Sequence, residues 1–311
     1  MLPPPWSTMS ARKERWLSEA TLPALTWAYS TRYRKPAGVI HENAPGWDDQ
    51  PTMQIFCGSS RKRNLASLFS DVGRDAHRSD LEGDLCLQPP ALCPTDLGRP
   101  SRRKRKYTLW LLKRTLKLNI PPSTCFFDIF QDIFYRTMES TAAVYRCAPD
   151  ELVARHNCAG VERQGFQVHP ADVTGSMALT PGPALRLSGF EELAAKRGIL
   201  KDGVWQVGVA LVNITHRPGF IKQIDCACAP ALMRRSDLFD LVTSRELVGP
   251  EYWAIQGYPH PDMIRSALST AFPFSDMDLT LTQVRHLTGN GMHLACVGAM
   301  LAFFLGCTLL S

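Results

Sequence analysis

Three groups of side chains in this sequence have types and spacing that could do chemistry. Glu42 and Asn43 follow a short apolar run, Ala37 to Ile40, and precede Pro45-Gly46, so a carboxylate and an amide stand at the carboxyl end of an expected strand. In open α/β sheets that edge is where ligands and catalytic groups collect. Arg102-Arg103-Lys104-Arg105-Lys106 sets five cations in a row before the apolar Tyr107-Thr108-Leu109-Trp110-Leu111-Leu112, and Arg61-Lys62-Arg63 forms a second basic run. Local charge density is what an anionic polymer feels, although such runs also serve as solvated faces or sorting signals. Cys147, His156, Cys158, Cys226 and Cys228 could supply four thiolate or imidazole ligands to zinc. Their spacing is irregular and holds no CxxC pair, so ordinary buried cysteines are the simpler reading and no metal site is expected. Cys57, behind an apolar strand-like segment, reads as a small buried hydrophobe.

These groups need elements to position them. Residues 12 to 34 carry Trp16, Leu17, Ala20, Leu22, Leu25, Ala28 and Tyr29 at helical spacing, which gives helix, strand and then the Glu42 loop. Residues 58 to 102 are polar and turn-rich, and Tyr107 to Leu112 is a buried strand that the basic run enters. Helical patterns follow over Thr124 to Cys147 and Gly189 to Arg197, with a β-branched strand pattern over Val204 to Ile214 between that and the next elements. Leu238 to Ile255 reads as helical in parts, broken at Gly249-Pro250. The last helix is expected to open after Leu287-Thr288-Gly289-Asn290-Gly291 and run to the final residue. Its stretch Leu294 to Leu310 is 17 residues without a charge, just long enough to span a bilayer. A core helix covering a sheet accounts for it equally in composition, and Gly289-Asn290 favours that reading over a membrane anchor.

At 311 residues, 45% apolar and 21% charged, the chain has the make-up of a globular protein of one large or two modest domains. Its formal charge of +6 is modest, so any pull on an anionic partner comes from the local runs. The ten cysteines are scattered and no apolar stretch follows Met1-Leu2-Pro3-Pro4-Pro5, which implies an intracellular, reduced setting, nuclear in a eukaryote. Asn213-Ile214-Thr215, a formal glycosylation sequon, has no secretory route to use it.

Four separated segments, in order, resemble motifs of the cytosine-C5 DNA methyltransferases. Pro5-Trp6-Ser7-Thr8-Met9 looks like the tail of that family's Pro-Cys-Gln-x-Phe-Ser loop, an alignment that sets Leu2, Pro3 and Pro4 on Pro, Cys and Gln. Glu42-Asn43-Ala44 resembles Glu-Asn-Val, 39 residues after Pro3, a separation suited to one crossover unit of roughly thirty residues or more. Asp96 to Arg105 resembles Gly-x-Pro-Gln-x-Arg-x-Arg, with Ser101 in place of Gln and the two arginines on Arg103 and Arg105. Val242-Thr243-Ser244-Arg245-Glu246 with Gln256-Gly257-Tyr258-Pro259 resembles Arg-x-Leu-Thr-x-x-Glu…Leu-Gln-Gly-Phe-Pro, and Gly289-Asn290 resembles the Gly-Asn motif at the family's last helix. The resemblance touches residues 5 to 47, 93 to 112 and 230 to 305.

The resemblance implies an α/β fold: part of a Rossmann-like methyltransferase sheet, a mixed α/β insertion in the place of a target-recognition region, and a C-terminal helix. The corresponding domains are 1–120, carrying the cysteine-loop remnant and the Glu-Asn and Arg motifs; 121–240, the variable region; and 241–311, the return to the catalytic domain. The family moves a methyl group from S-adenosylmethionine to carbon 5 of cytosine after a thiolate adds to C6. By analogy Glu42 would hold a proton against the N3 edge of a flipped cytosine. Arg103 and Arg105 would clamp the base and the flanking phosphate, with Arg102 also on nucleic acid. Gly289 and Asn290 would line the rim of the cofactor site. The nucleophile position is Pro3, and the chain contains no Gly-rich cofactor loop of the family's kind. A truncated or inactive form is therefore expected, with DNA as partner, no S-adenosylmethionine bound by the chain alone, and an open, poorly stable sheet edge. A non-catalytic nucleic-acid-binding remnant stands as the alternative.

Overall fold

The computed structural model describes residues 38–43, 85–87, 91–111, 116–119, 126–167, 169, 172–219, 224–258 and 279–310. The helix expected over 12–34, the loop Pro5 to Met9, Pro3, Cys57 and Pro259 lie outside them. Strands β1 (Gly38–Asn43), β2 (Leu85–Leu87), β3 (Lys106–Leu111) and β4 (Leu116–Leu118) precede helices α1 (Phe126–Phe134), α2 (Asp150–Glu162) and α3 (Pro181–Lys196). Then come β5 (Leu200–Lys201), β6 (Val204–Trp205), β7 (Leu211–Asn213), β8 (Leu238–Asp240), β9 (Arg245–Glu246), α4 (Gly249–Ile255), α5 (Leu281–Asn290), α6 (Leu294–Gly306) and β10 (Thr308–Leu310). The chain divides into two compact units: Met1–Cys93, Lys104–Arg136 and Ala295–Ser311 form the first, Pro94–Arg103 and Thr137–Leu294 the second.

In the first unit β3 lies between β1 and β2 and runs antiparallel to both. Glu42 pairs with Tyr107, His41 with Thr108 and Asn43 with Lys106. Because side chains alternate across a strand, Glu42, Tyr107 and Leu109 project to one face, and His41, Asn43 and Thr108 to the other. All six are buried, so neither face of this sheet is a solvated one. The strand expected to end at Ile40 continues through Asn43, and Glu42 is a strand residue rather than a loop residue. Elsewhere in this unit Phe130 of α1 stacks on Phe134 one turn on and meets Phe303 of α6 edge to face, with ring centroids 5.0 and 5.2 Å away. Cys296, Ala299, Met300 and Phe303 supply the buried stripe of α6 at i, i+3, i+4, i+7.

The second unit is built around the antiparallel sheet β7-β8-β9. Its period-two alternation feeds two cores. Leu211 and Leu238 join Tyr252, Ile255 and Val284 on one face, while Ala210, Val212, Phe239 and Leu241 join Leu187, Phe190 and Ala194 of α3 on the other. This double burial explains why Leu238 to Ile255 reads as apolar at helical spacing and still folds first as two strands. Gly249-Pro250, expected as a break, instead opens α4, because a proline in the first turn has no N–H to lose. The same logic extends the expected Gly189–Arg197 helix back to Pro181, behind Thr180. α3 stops where Gly198 takes φ of 67° and Ile199 N–H reaches back to the Ala194 carbonyl. Asp202 and Gly203, both at positive φ, make the tight turn of the β5–β6 hairpin.

Three further expectations are corrected. The helix over Thr124 to Cys147 ends at Phe134, where the Phe/Ile spacing runs out, and Thr141 caps a separate short turn over Ala142–Tyr145. Helix α2, whose Asp150 and Glu151 sit in the first turn where the helix dipole favours acids, has no counterpart in the sequence reading. Gly289-Asn290 closes α5 rather than opening the last helix, and the chain ends on β10, paired with β4, rather than on a helix. Every pairing between the strands described is antiparallel. Residues Leu281–Gly306 are long and apolar enough, by length and composition alone, to cross a membrane; Arg285 and the turn at Gly291 interrupt them.

Candidate functional site

The Glu42 carboxylate and the Arg105 guanidinium, expected to act together, meet in the first unit at 3.3 Å from Oε1 to Nε. The register dictates it: Arg105 immediately precedes β3 and shares a face with Tyr107, the cross-strand partner of Glu42. Glu42 is 2% exposed, and the Arg105 side chain 18%. A buried carboxylate is held most cheaply beside a guanidinium, whose planar fork matches it. On the opposite face Asn43 donates its amide to His41 Nδ1 at 2.8 Å, and burial lowers the His41 pKa to about 4. The imidazole is therefore neutral, and its Nδ1 accepts the Asn43 amide.

Arg103 is placed otherwise. It belongs to the second unit, is 3% exposed, and gives its guanidinium to backbone carbonyls: Nη1 to Leu232 at 2.8 Å, Nη2 to Gly289 at 3.3 Å and Gly291 at 2.6 Å. Two of these acceptors lie at the C-terminal end of α5, where carbonyls lack helical partners and a cation is favoured. The expectation that Arg103 clamps a base or phosphate is thus not what its surroundings provide. It caps a helix.

Around Arg103, three segments far apart in sequence are tied together. Gln256 donates to the Gly291 carbonyl at 2.6 Å and accepts from Leu294 N–H at 2.9 Å. Ser101 Oγ lies 3.2 Å from His293 Nε2, and Tyr145 also bonds Ser101. Gly257, at φ of 87°, sits on the His293 ring so closely that a Cβ would come within 2.8 Å of it. Burial, then Arg103 and Arg99, lower the His293 pKa to about 3. The motif-like residues at 101–103, 256–257 and 289–293 thereby form one hydrogen-bonded knot.

Arg102 pairs with buried Asp225 at 2.7 Å while 46% of its side chain stays exposed. Ala229 donates to Pro100 O and accepts from Arg102 N–H, stitching residues 100–102 to 225–229.

The sequence reading missed Glu251. Arg245 binds it twice, Nη1 to Oε2 at 2.9 Å and Nη2 to Oε1 at 2.6 Å, and the same carboxylate accepts from Val248 N–H at the start of α4. Arg-x-Leu-Thr-x-x-Glu sets its ends six positions apart, which fits Arg245, Leu247 and Glu251 and not Arg245-Glu246. The signal was in the quoted pattern itself. Buried Asp240 was missed as well: it accepts from Arg146 Nε at 2.6 Å, from Thr243 Oγ1 at 2.8 Å and from two backbone N–H groups. Nothing in its local sequence marks it.

The zinc alternative does not assemble. His156 instead bonds Glu246 at 2.8 Å, Cys228 lies against Met138, and burial raises the Cys147 pKa to about 11. Among the described residues no three His, Cys, Asp or Glu side chains gather as a metal site needs.

The residues assigned to S-adenosylmethionine do not fit it. A Cβ on Gly289 would be driven into the Met233–Arg234 backbone, and the Gly289 carbonyl serves Arg103. Of the two residues assigned to it, Asn290 alone, half-buried, is left to face a ligand.

No family model matches the chain, and no curated protein does. Among solved structures it is similar to the Entamoeba histolytica methyltransferase EhMeth, at 13% identity and a TM-score of 0.43, over 94% of this chain and 71% of that one. It is similar to the S. pombe Dnmt2 methyltransferase at 12% identity and 0.44, over 93% and 73%. A mutant DNMT2 of Spodoptera frugiperda gives 12% and 0.40, over 97% and 77%. These neighbours are methyltransferases, but scores below 0.5 at such identity leave the weight on residues of this chain.

Proposed function

We propose that this chain is a cytosine-C5 methyltransferase-like protein that engages nucleic acid and transfers no methyl group itself. The observation that carries the reading is the meeting of motif-like residues which the sequence holds far apart. Glu42 and Arg105 are neighbours at 3.3 Å, and Ser101, Arg103, Gln256, Gly257 and Gly289 converge within the second unit. Chance matches to short patterns have no reason to assemble.

Under this reading Glu42 and Arg105 address the edge of an unstacked base, the carboxyl by hydrogen bonding and the guanidinium by a planar contact. Methyl transfer fails because a proline at the nucleophile position has no group to add to C6. S-adenosylmethionine belongs to the family's chemistry, and this reading expects none bound by the chain alone. The setting is intracellular, and nuclear in a eukaryotic cell. The test combines two assays of the full chain: binding to labelled DNA and RNA at low salt, and incorporation of label from S-adenosylmethionine into both. Binding without incorporation is expected. Failure to bind either polymer overturns the nucleic-acid reading, and incorporation overturns the inactivity.

A further inference from the structure

We propose that exposed guanidinium groups of Arg99, Arg102 and Arg197 in the second unit form a surface for a nucleic-acid phosphate backbone, with Asp225 holding Arg102 until a phosphate displaces it. The inference rests on the nucleic-acid reading above and names which cations make the contact.

Adjacent arginines face opposite ways. Arg103 is consumed by three backbone carbonyls inside the unit, so it has no donor geometry to offer a polyanion. Arg102 turns outward, and its guanidinium pairs with Asp225 at 2.7 Å. That carboxylate is buried while nearly half of the arginine is in water, so solvent and an incoming anion reach the guanidinium from its open side. A phosphodiester offers the same two-oxygen acceptor to the guanidinium fork and needs no burial of its own. Asp225 therefore occupies Arg102 much as a phosphate would.

The neighbouring cations follow from the packing. Cys226, next to Asp225, packs against the same core as Ile199 and Leu200, the residues that follow the end of α3. Arg197 is exposed at that end, and its charge reaches the Cys226 thiol, lowering a pKa that burial and Asp225 raise. Arg99, exposed beyond the positive-φ turn at Gly98, is near enough to Tyr145 and His293 to act on both. Two stretches, 99–102 and 197, thus border the Asp225–Cys226 segment with cations, and no base-reading group is among them. Such a surface positions a backbone and does not read sequence.

The experiment is fluorescence anisotropy of the full chain with a labelled DNA duplex and, separately, a labelled RNA hairpin across a salt series. Each phosphate contact contributes about 0.9 to the slope of log affinity against log salt on duplex DNA and about 0.7 on single strands. Arg102→Gln and Arg197→Gln are each expected to lower the slope by about that much and to weaken binding to all sequences alike. Asp225→Asn is expected to tighten binding roughly threefold to tenfold, since it frees Arg102. Arg103→Lys should leave the slope unchanged. The polymer that shows these changes identifies the source of the phosphate. Binding by the parent chain with slopes untouched in Arg102→Gln and Arg197→Gln overturns the surface while sparing the nucleic-acid reading; absence of binding overturns both. Should Asp225→Asn fail to fold by its thermal melt, Arg197→Gln, on an exposed side chain, decides the matter.

Discussion

Arg103 and Arg105 are two residues apart, resemble the same motif, and are handled by the molecule in opposite ways. Arg103, in the second unit, is spent on the neutral carbonyls of Leu232, Gly289 and Gly291. Arg105, in the first, stands against the Glu42 carboxylate. A cation on carbonyls at a helix end is part of the scaffold: take it away and the acceptors are stranded. A cation on a carboxylate is exchangeable, because a ligand that satisfies both can enter between them. Residue type and spacing do not distinguish these roles; the chemical identity of the partner does.

The largest effect should come from separating the Glu42–Arg105 pair on its exposed side. Arg105→Gln leaves a carboxylate that is 1% exposed at its side chain without the charge beside it, and stranding a buried charge costs about 3 kcal/mol or more. Glu42→Gln removes the buried charge and leaves the arginine partly in water, so it should cost less than half as much. Urea denaturation of the two variants checks the asymmetry. Equal losses would mean that Arg105 acts on Glu42 only by packing, and the contrast with Arg103 would weaken.

Next in size is Gly289→Ala in the other region. The added methyl meets backbone of Met233 and Arg234, which cannot swing aside as a side chain can, and overpacking of this kind costs about 2–3 kcal/mol. A loss below about 0.5 kcal/mol would show that α5 slides and that the knot is looser than its hydrogen bonds imply. Arg103→Met follows, at about 2 kcal/mol, for the carbonyls it leaves unpaired. It should unfold earlier in urea yet keep the salt dependence of nucleic-acid binding, while Arg105→Gln weakens recognition of an unstacked base. Reversal of those two outcomes would break the comparison.

How much of this was legible beforehand depends on which force sets each element. β1 and β3 are legible as short apolar runs bounded by turn-forming or charged residues, whereas the register that joins Glu42 to Arg105 is set by the pairing and is not. Reading Gly249-Pro250 as a break misses the start of α4, because a proline in the first turn initiates a helix, and Pro181 likewise lets α3 begin ahead of Gly189. The β8–β9 region was misread because a strand buried on both faces loses its alternation and imitates a helix. Glu251 was legible in the motif's own spacing. Asp240 and the inward turn of Arg103 are not, since Ala210 and Arg146 lie 30 and 94 positions from Asp240 and Leu232 lies 129 from Arg103, and no local pattern encodes those.

The smallest effect separates the regions by pH. His41 in the first unit and His293 in the second are both held neutral when folded, with pKa values lowered to about 4 and about 3, against about 6.5 in the unfolded chain. The unfolded state therefore takes up protons first as the pH falls. Each histidine's contribution is fully present above about pH 6.5 and declines below it, by about 1.4 kcal/mol per pH unit, until the folded pKa is reached. Of the two, His293 carries its decline to the lower pH. Urea midpoints followed downward from about pH 6.5 should fall less steeply in His293→Gln than in the parent chain. Arg103→Met sharpens the test, because the Arg103 charge is one reason the His293 pKa lies so low. Without it the decline should end at a higher pH, whereas Arg105→Gln should leave the His293 part of the profile where it was.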